Sequence, residues 1–103
     1  MPTVNITPLV SVDRGRYLRQ NEAAIRRAAV TALDAPGKPE HIIQSAFNAV
    51  LYCEDIIARH EIAVTANRAA NREHLATDHE RFVAKAVQLK LRCLDQLCHH
   101  LGF

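Results

Sequence analysis

The sequence predicts an all-α fold, a three-helix bundle or helical hairpin with a long central helix and an extended N-terminal arm. Three observations carry this. The stretch Thr77–Leu101 contains no Gly or Pro, and its Val83, Val87, Leu91, Leu94, Cys98 and Leu101 recur at three- and four-residue spacings, the stripe of an amphipathic helix. Two prolines and a glycine fall within Pro36–Pro39 and mark the one clear break. From Glu40 to Leu101 the chain again has no Gly or Pro.

Met1–Asp13 reads as a flexible extended arm, because Pro2 and Pro8 oppose helix and the Val, Ile and Thr around them favour extended backbone. Residues 14–103 read as a single helical domain. The first helix is expected over roughly Tyr17–Leu33, started from Asp13 or Asn21, with Leu18, Ile25, Ala29 and Leu33 on one face. The second opens after Pro39 and carries a wide apolar face of Ile43, Phe47, Val50, Leu51, Ile57 and Ile62. Ile42, Ala46, Cys53 and Ile56 broaden it.

Two ends compete for this helix. One is a turn near Asn67 or Asn71. The other is a continuous run to Leu75, broken only at Thr77, whose spacing to Glu80 matches a capping box. The cap is the stronger local signal and favours the second, a helix on the order of 54 Å long at 1.5 Å per residue. The last helix then begins at Thr77, is widened by Phe82, Ala86, Leu89, Cys93 and Leu97, and stops at Gly102.

Composition bounds the function. The chain has 103 residues, enough for one domain, and its apolar share of 49% includes many alanines and no Trp, so its own core stabilises it modestly. A formal net charge of +2 argues against a dedicated nucleic-acid binder. Three cysteines inside helical apolar patterns fit a reducing cytoplasm without disulfides. The N-terminus lacks the pattern of a signal peptide, and no run approaches the length of a membrane span.

No catalytic constellation stands out. Glu54, Glu61, Glu73 and Glu80 have no His three residues on, which removes the helical di-metal pattern. His60-Glu61 is followed by Val64 where a zinc protease needs His. Cys93 and Cys98 lie about 140° apart around a helix and cannot share an ion. Neither an enzyme nor a cofactor is expected.

The sequence therefore points to a non-enzymatic protein-interaction module, an adaptor, chaperone or inhibitor of another protein, as a cytoplasmic homodimer. Candidate interaction residues are the acidic Glu54, Asp55 and Glu61 of the second helix and the basic Arg68, Arg72 and Arg81 beyond it. One alternative is a small nucleic-acid-binding regulator using Arg68, Arg72 and Arg81, with Asn67, Arg68, Asn71 and Arg72 on one helical side. Another is a metal- or redox-responsive bundle using Cys93, Cys98 and His99.

Overall fold

The computed structural model describes residues 8–35 and 41–103. It is all-α: α1 spans Val12–Asp34, α2 His41–Ala69 and α3 Glu73–Leu101. The described residues contain no strand, and none of their helices is long and apolar enough to cross a membrane.

α1 begins earlier than its apolar pattern suggests. The Ser11 hydroxyl accepts the Arg14 amide at 3.1 Å and caps the helix. Asp13 then sits in the first turn, where the helix dipole favours an anion. Val12 and Asp13 are therefore helical, and the expected arm is shorter at this end. Its first seven residues lie outside the described part of the chain, as does the whole of the Pro36–Pro39 break. Asn21 is no start signal: its side-chain amide donates to the Tyr17 carbonyl within the helix.

The expected 54 Å helix is divided. α2 stops at Ala69 and α3 starts at Glu73. The Arg72 amide donates to the Asn67 carbonyl and the Asn71 amide to the Arg68 carbonyl, while Asn71 has φ of 59°. This is a Schellman closure with Asn in the left-handed position. Thr77 consequently lies inside α3 and forms no capping box. Asn67, Arg68, Asn71 and Arg72 also share no helical side, because the left-handed residue turns the chain between them. Gly102 does end α3, with φ of 75° and its amide on the Cys98 carbonyl.

α2 and α3 form an antiparallel hairpin with arms of 29 residues each. α1 packs on the open end of that hairpin, away from the Asn71 turn. Its first turn is tied to α3, where Arg14 meets Asp95 at 2.6 Å. Its later part reaches α2, where Arg26 pairs with Glu54. Lys90 of α3 meets Glu22 of α1 at 3.1 Å.

The core sits where the three helices meet: Leu18, Ile25 and Ala29 from α1, Ile43, Ala46 and Val50 from α2, Leu91, Leu94, Leu97 and Cys98 from α3. Nearer the turn the hairpin has two layers only, closed by small buried residues such as Ala76 and Ala86. The predicted α2 face is therefore only half covered. Leu51 and Ile42 are exposed, and Ile62 is 71% exposed on the outer side. α3 keeps the predicted Leu91, Leu94 and Cys98 inside, while Phe82 and Leu89 stay open to solvent.

Candidate interaction face

Helix periodicity divides the hairpin into two broad sides. α1 occupies one of them through Phe47 and Glu54 of α2 and Leu91 and Asp95 of α3. On the opposite side, Ile42, Ala49, Ile56 and Ala63 recur every seven residues along α2. Leu75, Phe82 and Leu89 do the same along α3. Sevenfold spacing keeps side chains on one line of a helix, to within about 20° per repeat. Leu75 is 37% exposed, Phe82 53% and Leu89 46%. Two apolar lines thus run along the hairpin with no other described helix upon them.

The centre of this face is a cross-helix cluster. The Nδ1 atoms of His60 and His79 stand 2.8 Å apart. The Phe82 ring stacks on His60 at 4.9 Å between centroids and 16° between planes. In the neutral pair one Nδ1–H donates to the lone pair of the other. The rim beside Phe82 is formed by Asp78, Arg81 and Lys85.

The charged candidates are dispersed. Arg68 bridges the turn, donating to Glu73 at 2.9 Å and also to Glu80. The hydrogen bond to Arg68 holds the Glu73 carboxyl below the ordinary range, and the two carboxylates push the Arg68 guanidinium up. Glu54 is engaged by Arg26, and Asp55 by Arg59 at 3.0 Å along α2. Glu61 stands beside Arg68 and Glu80 in the groove on the α1 side, over Val64, Val83 and Ala84. Arg72 precedes α3 at the turn, and Arg81 lies one side of Phe82; both are exposed. Glu54, Asp55 and Arg68 are thus each engaged by other side chains of the same chain, and no continuous basic face joins Arg68, Arg72 and Arg81.

The cysteines separate too. Cys98 lies in the three-helix core with Arg14 and Asp95 as its charged neighbours. Cys53 of α2 and Cys93 of α3 lie near one another across the hairpin. Burial pushes all three thiols up from their ordinary value. His99 packs edge-on against His100 at the exposed end of α3. Among the described residues, no three of His, Cys, Asp and Glu come together as a metal cluster.

The sequence reading missed the cluster that His60 of α2 forms with His79 and Phe82 of α3, 19 or more residues further along the chain. Its signal was the position of the turn: residues equidistant from Asn71 oppose one another, which places His60 against Phe82. Comparison with protein-family models, curated proteins and solved structures gave no match to this chain.

Proposed function

We propose that this chain is a non-enzymatic helical interaction module that pairs with a second copy through the α2–α3 face opposite α1. The pair would serve as an adaptor, chaperone or inhibitor of another protein. The observation that supports it is the doubled apolar line of Leu75, Phe82 and Leu89 beside Ile42, Ala49, Ile56 and Ala63. Lines of this kind pack against other helices, and a large exposed apolar patch marks an interaction surface.

The area is sufficient for a stable pair. Two adjacent helices of 29 residues, each about 10 Å wide and about 43 Å long, present roughly 850 Å² on one side. A standard protein interface buries about 800 Å² per partner. A second copy offers the same area with the same lines, and two hairpins face to face make a four-helix arrangement in which α1 of each copy stays outside.

Phe82→Glu with Leu89→Glu tests the reading. Burying two unpaired carboxylates in the pair is prohibitive, so the variant is a monomer that keeps its helical circular dichroism. An unchanged dimer in this variant removes the face from the account. Salt separates the nucleic-acid alternative. An apolar pair keeps its affinity between 0.05 and 0.2 M salt, on the order of the range over which phosphate-dependent binding falls steeply.

A further inference from the structure

We propose that His60 and His79 are half of a tetrahedral zinc site that a second copy completes. This rests on the face-to-face pair described above. The two Nδ1 atoms already lie 2.8 Å apart across α2 and α3. Zinc bound at about 2.0–2.1 Å to each of two imidazoles in a tetrahedron needs them about 3.3 Å apart. The pair has to open by about half an ångström, which side-chain torsions supply without moving either helix. Each ring then presents the Nδ1 lone pair and carries its proton on Nε2.

Two ligands are half of what a structural zinc site takes, since such sites close with four. Symmetry supplies the other half. In a two-fold pair the surface is self-complementary, and residues beside the axis meet their own copies. Phe82 is the middle of the three exposed positions Leu75, Phe82 and Leu89, and it stacks directly on His60. A two-fold axis beside Phe82 would bring the His60–His79 pair of one copy toward that of the other. Four imidazole nitrogens in a half-buried apolar setting select a borderline cation of the zinc class over Mg²⁺ or Ca²⁺, which prefer oxygen.

The test is native mass spectrometry and sedimentation of the chelator-treated full chain, with and without zinc chloride. The expected result is one zinc per two chains. Zinc at ten times its dissociation constant should tighten dimerisation by about tenfold. His79→Ala, and separately His60→Asn, should lose zinc uptake and the tightening while keeping helicity, each variant's own metal-free self-association serving as its baseline. A His99→Ala/His100→Ala variant should behave as the parent chain does. A dimer that takes up no zinc overturns this inference and leaves the pairing intact, as does uptake unaffected by the His60 and His79 changes or uptake without tightening. A chain that is monomeric with and without zinc overturns both.

Discussion

Gly15 is a helical residue without a structural need for glycine. It is itself buried in the first part of α1, and a Cβ built there would meet Leu91, Arg19 and Val10 at 3.6–3.7 Å, ordinary contact distances. Glycine inside a helix costs about 0.5–1 kcal/mol relative to alanine, mainly through unfolded-chain entropy. Gly15→Ala should stabilise the domain by about that amount, read as a higher urea midpoint with unchanged slope. A lower midpoint would mean that α1 and α3 are closer than these distances.

The thiols give a second prediction at this scale. Cys98 is fully buried and Cys53 nearly so. The folded chain holds their protons more tightly than the unfolded chain. The stability this represents is fully present below the unfolded thiol value, about 8.5, and is lost as pH rises through the higher folded-state values. Alkylation by iodoacetamide at about pH 8 should accordingly be slow at Cys53 and Cys98 in the native protein and fast in urea. Rapid native labelling of Cys98 would contradict its place in the core.

Among the elements, the turn at Asn71 decides the architecture. Its left-handed backbone suits Gly best, Asn tolerably and β-branched residues poorly. Asn71→Gly should leave stability unchanged or raised, whereas Asn71→Val should cost about 1–2 kcal/mol. Equal loss in both variants, measured by chemical denaturation, would show that the Asn side chain matters more than its backbone.

The same turn shows what the sequence allowed to be read. The α1 core line of Leu18, Ile25 and Ala29 and the stop at Gly102 were legible, because each follows from local spacing or from one residue's backbone freedom. The break between α2 and α3 was not settled locally, since Asn71 and the Thr77-x-x-Glu80 spacing are both valid signals. Pairing resolves it: a turn at Asn71 gives two arms of equal length that bury Ala76 and Ala86 between them. Placing Thr77 at the helix start would leave α2 overhanging α3. The intramolecular partners of the charged candidates were not legible for a related reason. Glu54 and Arg68 stand out by charge, but their partners Arg26 and Glu80 come from other helices. Charge in a sequence does not show which pairs close internally.

At the scale of the whole molecule, the shape is uneven. The molecule extends 53 × 25 × 19 Å, with α1 thickening only the open end of the hairpin. The end near Asn71 is two helices thick and keeps Ile62, Leu75 and Phe82 in solvent. A chain of this size draws limited stability from its own core, and pairing supplements it. The melting temperature should therefore rise with protein concentration, and the Phe82→Glu/Leu89→Glu variant should melt lower and independently of concentration. Concentration-independent melting of the parent chain would mean that folding and pairing are unlinked.

The most direct measurement is sedimentation equilibrium of the untagged, metal-free chain over a range of concentrations. The account predicts a species of twice the 11.5 kDa chain mass, reverting to the single-chain mass when Phe82 and Leu89 carry glutamate. A parent chain that stays at the single mass throughout would show that the α2–α3 face is not a surface for its own copy.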